Sequence, residues 1–157
     1  MNTYKGNIQK LEDNEVFVFG SNWQGFHGAG AAGFASFNEA GNVWRKHNYD
    51  KLADGWRGCW NIKGVAVGYQ EGYKGSSYAI PTVIRAGQPR SMTEKQIRKQ
   101  ISFFRSFAIG MRHKTFYIAQ GVSEKNLNGY SIEELRKIWL DGWKWPQNVY
   151  FYERFVL

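Results

Sequence analysis

One cysteine, Cys59, stands in a chain of 157 residues. A single thiol excludes an internal disulfide framework and any zinc site built mainly from cysteines. It fits a reducing, cytoplasmic setting. No apolar run is long enough to span a bilayer, and the opening MNTYKGNIQK lacks the apolar core of a secretory signal. A soluble protein without a membrane partner is therefore expected. Histidines number only three, and neither a carboxylate pair nor a cluster with metal-ligand spacing stands out, so neither metal nor cofactor is expected. Repeats, linkers and low-complexity tracts are missing too. Residues 1–157 read as one domain, large enough to bury a core.

Acidic residues are scarce. Thirteen carboxylates face 21 lysines and arginines, for a formal charge of +8. Such a surface attracts polyanions at moderate salt. Most of the excess lies between Arg85 and Lys114, where eight basic residues meet Glu94 alone. Aromatics make up 17% of the chain, and their rings serve a core or stack on bases. A nucleic-acid-binding role for the basic 85–114 segment is thus one functional reading.

What the sequence does hold centres on Val16 to Ala35, VFVFGSNWQGFHGAGAAGFA. Val16–Phe19 is an unbroken apolar run, the pattern of a strand buried on both faces. Gly20, Ser21 and Asn22 end it. A turn with Gly25, Gly28 and Gly30 follows, and Ala29–Ala32 opens a helix. Glycines permit close backbone approach, and the first helical N–H groups lack intrahelical partners, so the turn suits an anion such as phosphate. A tight strand-to-helix connection of small residues is the other reading. No Lys-Ser/Thr pair follows the glycines, which excludes a Walker A loop. The GxxGxG spacing differs from the dinucleotide GxGxxG.

Further along, Met1–Asn14 reads as a polar lead-in anchored by Ile8 and Leu11. The helix from Ala29 faces the core through Phe34, Phe37 and Val43-Trp44. Asn48–Gly75 is rich in glycine and aromatics, either a ligand rim or irregular surface, with a short strand at Ile62–Val67 and a turn-rich stretch at Gly68–Gly75. Ser76–Thr82 is a strand ending at Pro81. Met92–Gly110 is a helix with a Thr93/Gln96 capping box and an apolar stripe of Ile97, Ile101, Phe104 and Ala108, widened by Phe107. Phe103 falls off that stripe. Lys95, Arg98, Lys99 and Ser102 lie on the opposite side with Arg105 at its border, as a solvated or polyanion-binding face. Thr115–Ala119 is a strand. Ser131/Glu134 caps a helix with Ile132, Leu135, Ile138 and Trp139 inward, ended by Asp141-Gly142. Asn148–Glu153 closes the chain as a strand.

Strands alternating with helices predict an α/β fold, a three-layer α/β/α sandwich around a mixed, mostly parallel sheet. Ligands in such folds bind beyond the carboxyl ends of the strands. Three loops qualify: Gly20–Gly30, Pro81–Gln88 with Thr82, and Gln120–Tyr130, which includes Gly129.

Three stretches also resemble segments of a macro domain-like family of phage and bacterial proteins: FGSNxxGxHGAGAA at Phe19–Ala32, GYKGSSYAIPT at Gly72–Thr82, and FYIAQGVSEKNLNGYSIEEL at Phe116–Leu135. The resemblance implies binding of ADP-ribose or a related NAD-derived nucleotide, and some members hydrolyse ADP-ribosyl linkages or act as ADP-ribose phosphatases. It implies that Gly28, Ala29 and Gly30, with Ala31 next to them, hold a diphosphate through N–H groups. Gly121 and Val122 would form a second phosphate loop, and Asn22 would meet the distal ribose. Gly20, Ser21, Pro81, Thr82, Gln120, Gly129 and Tyr130 complete the expected rim. Should hydrolysis occur, His27 is the residue suited to proton transfer near neutral pH, with Asn22 orienting a water. The chain departs from the family in lacking a GDIT-like segment near its start and in Glu124–Asn128, which lengthen the second loop. His47 and His113 sit near no motif and read as surface residues.

Overall fold

The structure, a computed structural model, describes residues 1–25, 30–37, 67–71, 75–85, 87–122 and 126–157. Its strands are β1 (Asn2–Tyr4), β2 (Glu15–Asn22), β3 (Gly68–Glu71), β4 (Ser76–Val83), β5 (Thr115–Ile118) and β6 (Val149–Tyr152), and its helices are α1 (Gly30–Phe37), α2 (Glu94–Gly110) and α3 (Ile132–Leu140). The strands form one sheet in the order β1-β6-β5-β2-β4-β3. All pairings are parallel except that of β3, which runs antiparallel to β4 at one edge.

β2 shows why the sheet is covered on both sides. Successive strand side chains point to opposite faces. Val16 and Val18 enter one apolar cluster, with Ile97, Ile101 and Phe104 of α2 and Ile138 of α3. Phe17 and Phe19 enter the other, with Ala35 of α1 and Leu11. Phe34 of α1 sets its ring edge-on to Phe17 at 4.9 Å. The result is an α/β/α sandwich with α1 on one face and α2 and α3 on the other.

Both capping boxes form. Thr93 and Gln96 exchange side-chain and backbone bonds, as do Ser131 and Glu134. The α2 stripe is buried as its spacing predicts, Phe107 packs beside it, and Phe103 is 53% exposed. Asp141 caps α3, with Gly142 following in the left-handed region. His113 is exposed.

Four sequence expectations need correction. The polar lead-in contains β1, which pairs Tyr4 with Tyr152. Its three residues carry no alternation of their own, and the partner strand lies some 150 residues away. The turn-rich stretch at 68–75 contains β3, held by register with Ser76–Ala79. The SYAIPT strand does not end at Pro81 but runs on to Val83. β3 pairs no further than Ala79, so among the described residues Pro81 has β2 alone beside it, a position that tolerates a missing N–H. Finally, the basic side of α2 is not uniformly solvated. Arg98 donates to the carbonyls of Lys137, Ile138 and Asp141 and stacks over Trp143 at 4.7 Å. Arg105 donates to Lys144 O at 2.6 Å. Val43-Trp44, the side chain of Phe37, and positions 62–66 of the expected strand at Ile62–Val67 lie outside the described residues.

Candidate functional site

Chain order places a crevice between β2 and β5. From β2 the chain passes over one face through α1, and from β5 it passes over the other through α3. Neighbouring strands whose connections part in this way define a switch point, where the loop ends gape and ligands enter. A cavity of about 720 Å³ opens there. Loops from both strands line it: Gly20, Gly30 and Ala31 from the β2 side, Gln120, Gly121 and Val122 from the β5 side. The two glycine-bearing loops therefore share one cavity.

On the β2 side the floor is shaped by an irregularity in pairing. Ser21 aligns with Pro81 and Asn22 with Val83, so Thr82 is skipped. Thr82 lines the cavity and donates to Ser21 O at 3.4 Å. A side chain on Gly20 would touch Thr82 Oγ1 at 3.4 Å, so glycine keeps this floor open. Gly30 begins α1 at φ 60°, a conformation costly for residues with a Cβ. A Cβ there would meet no atom within 4 Å, because the position faces the open cavity.

On the β5 side, Ala119 N–H donates to Val18 O at 2.8 Å, which keeps the chain on the sheet for one residue past the strand. The backbone then leaves the sheet. Gly121 turns it at φ 63°. The N–H groups of Gly121 and Val122 donate to no acceptor among the described residues, and the first-turn N–H groups of α1 have no acceptor within the helix. A third wall comes from the segment after β1. Gln120 Nε2 donates to Asn7 Oδ1 at 2.6 Å and Gly6 O at 3.3 Å, and Tyr4 OH donates to Ile118 O at 2.6 Å. Burial, and then the neighbouring Tyr152, holds the Tyr4 phenol well above its ordinary pKa. It stays a neutral donor.

The far wall is the Asn126–Asn128 turn. Asn126, Leu127 and Asn128 line the cavity, and Gly129 N–H closes the turn onto Asn126 O at 2.9 Å. Gly129 and Tyr130 lie behind it rather than on the cavity. A Cβ on Gly129 would come within 2.6 Å of Pro89 Cβ, so glycine here serves packing. Tyr130 OH donates to Met92 O at 2.5 Å. Arg90 ties the arrangement together. Its N–H donates to Asn128 O at 2.7 Å, its Nε to Gly129 O at 3.1 Å, and its guanidinium pairs with Glu134 at 2.7 Å while lying over the Tyr130 ring. The Arg90 hydrogen bond draws the Glu134 carboxyl below its usual range.

Thus Gly20, Gly30, Ala31, Thr82, Gln120, Gly121 and Val122 meet in one cavity. Ser21, Asn22 and Pro81 are buried at the adjoining strand ends, and Ser21 and Asn22 both have partners within the protein. His27, Gly28, Ala29, Glu124, Lys125 and most of the glycine-aromatic stretch at 48–75 lie outside the described residues. Sequence reasoning missed Tyr4 and Asn7, whose signal was hidden with β1. No lining side chain among the described residues carries a charge, and none is histidine, cysteine or carboxylate. Among the described residues there is no group of three or more potential metal ligands, and no helix is long and apolar enough to cross a membrane.

No family model matches the chain, and comparison with curated proteins gives no match.

Proposed function

We propose that this protein binds ADP-ribose or a closely related NAD-derived nucleotide in the cavity between β2 and β5. One observation carries the reading. Two loops with left-handed glycines, Gly30 and Gly121, face one cavity and bring to it N–H groups that no described residue accepts. Backbone donors at a helix start and a nest are a recurrent way to hold phosphate oxygens without a cation. The remaining lining suits the rest of such a guest. Phe17, Phe19, Phe34 and Trp139 supply apolar and aromatic surface, and Asn7, Asn126 and Asn128 supply carboxamides for hydroxyls and base edges. At about 720 Å³ the cavity falls within the usual range for small-ligand sites, about 300–1,000 Å³.

The resemblance of the FGSNxxGxHGAGAA and SYAIPT segments to macro domain-like proteins supports the same guest. Binding is the function proposed; His27, the residue suited to proton transfer in any hydrolysis, lies outside the described residues. Titration calorimetry with ADP-ribose tests the reading. Ala31→Leu is the sharper variant, since it narrows the cavity at the start of α1 without altering a left-handed glycine. It is expected to weaken binding at least tenfold, and equal affinity in wild type and variant would place the ligand elsewhere.

A further inference from the structure

A second, smaller groove of about 380 Å³ lies where the chain leaves β2 and β4, against α2. Met92 forms its buried floor, Trp23 and Ile84 its apolar sides, and Gln96, Lys99 and Gln100 of α2 its polar side. The two apolar side chains are exposed, at 43% for Trp23 and 44% for Ile84. Both are nonetheless fixed by their backbones. Trp23 N–H donates to Val83 O at 3.2 Å, and Ile84 N–H donates to Ser91 Oγ at 2.8 Å. An exposed indole on an anchored backbone, with carboxamides and an ammonium beside it, offers a ring face, base-edge partners and a phosphate partner together.

Charge selects the occupant. Four of the eight cations between Arg85 and Lys114 are engaged. The Arg90 guanidinium binds Glu134 and the Gly129 carbonyl, Arg98 caps α3, Arg105 holds Lys144 O, and Lys114 lies over the Tyr69 ring at 5.3 Å. The other four, Arg85, Lys95, Lys99 and Arg112, make no ion pair and no side-chain hydrogen bond among the described residues. Lys99 lines the groove, Lys95 stands one helical turn before it, and Arg85 follows Ile84. Lys99 thus shares the groove with the exposed Trp23, and Lys95 and Arg85 lie next along the chain to its lining residues.

We infer that this groove binds single-stranded nucleic acid, with a base stacked on Trp23, its edge met by Gln96 and Gln100, and the backbone phosphates running along Lys99, Lys95 and Arg85. Aromatic stacking beside a cationic track is the physical basis of sequence-tolerant strand binding, because every base has a π face. A mononucleotide reaches Lys99 and leaves the two flanking cations unused, whereas a strand engages all three. An acidic peptide satisfies the cations and leaves the indole without its stacking partner. The site is separate from the β2–β5 cavity and does not depend on what that cavity holds.

Fluorescence anisotropy of the full chain with a labelled ten-nucleotide dT strand, at several salt concentrations, tests the inference. Wild type is expected to bind the strand at least tenfold more tightly than AMP or a ten-residue polyglutamate, and saturating ADP-ribose is expected not to displace it. Trp23→Ala should weaken strand binding about tenfold or more. Lys99→Gln should lower the slope of log K against log salt by about 0.7, the value for one single-strand phosphate contact. Trp23→Phe retains a ring and should recover most of the affinity, which guards against a folding defect in Trp23→Ala. No binding by wild type, equal binding of polyglutamate, displacement by ADP-ribose, or affinity indifferent to Trp23 would each overturn the inference.

Discussion

Individual glycines in this protein do different work, and their substitutions should separate accordingly. Gly121 holds a left-handed turn in which an added Cβ would meet Phe155 at an ordinary 3.5 Å. Gly121→Ala should therefore lose only the conformational cost, about 1–2 kcal/mol. Gly129 is left-handed too, yet its Cβ would sit 2.6 Å from Pro89 Cβ. Gly129→Ala should cost clearly more than Gly121→Ala in urea unfolding, because backbone strain and overpacking add. A reversed order would mean that the Pro89–Arg90 contact is not what holds the 126–130 turn. At the opposite extreme, the Ser77 hydroxyl is buried with no partner among the described residues. Removing an unsatisfied polar group releases its desolvation cost, so Ser77→Ala should be neutral or stabilising in the same assay. Sequence alone marked the glycine-rich loops, since chain reversals at a ligand favour residues free to adopt positive φ. It did not tell Gly121, on the cavity, from Gly129, wedged against a residue forty positions earlier. That difference lies in a contact with no local trace.

Elements whose signals are local were legible. The Thr93/Gln96 and Ser131/Glu134 boxes each span only four residues, and the Ile97–Ala108 stripe follows the helical period, so both helices were readable before any fold was known. β1 and β3 were not, because they are short edge strands defined by partners elsewhere. The tethers from Arg98 to the end of α3 and from Arg105 to Lys144 O beyond it were hidden for the same reason. The Arg90–Glu134 pair makes a pH prediction at this scale. Glu134 holds its proton less tightly folded than unfolded, owing first to Arg90. A depressed carboxyl contributes stability above its unfolded value of 4.5 and loses it as pH falls through the lower folded value. Stability from pH titration of unfolding should therefore fall below about pH 4.5 in wild type and fall less steeply in Arg90→Met. Identical acid limbs would remove the pair from the account.

At the scale of the whole molecule, a mixed, mostly parallel sheet is opened at one end by a switch in chain direction, and both glycine loops gather there. The sequence reading placed them at strand ends by alternation alone; their convergence on one cavity required the strand order, which no local pattern encodes. Where β1 joins the sheet, Tyr4, Tyr117, Tyr150 and Tyr152 form a continuous ring cluster with centroids 5.4–5.6 Å apart. Burial and a hydrogen bond to Glu15 push the Tyr117 phenol up to about 12. A raised folded pKa contributes stability that is intact below the unfolded value near 10 and is lost as pH rises toward the folded value. Alkaline unfolding should therefore begin near pH 10 and shift upward in Tyr117→Phe, as read by circular dichroism. An unshifted limb would show that the cluster does not couple ionisation to folding.

The central claim is that the β2–β5 cavity holds a nucleotide diphosphate by backbone N–H groups rather than by cations. Calorimetric titration of wild type with ADP-ribose at low and high salt tests this most directly. The account predicts saturable one-to-one binding whose affinity changes by less than about threefold between the two, because no cation among the described lining residues is there to release counterions. Absence of binding, or affinity that collapses as salt rises, would contradict it.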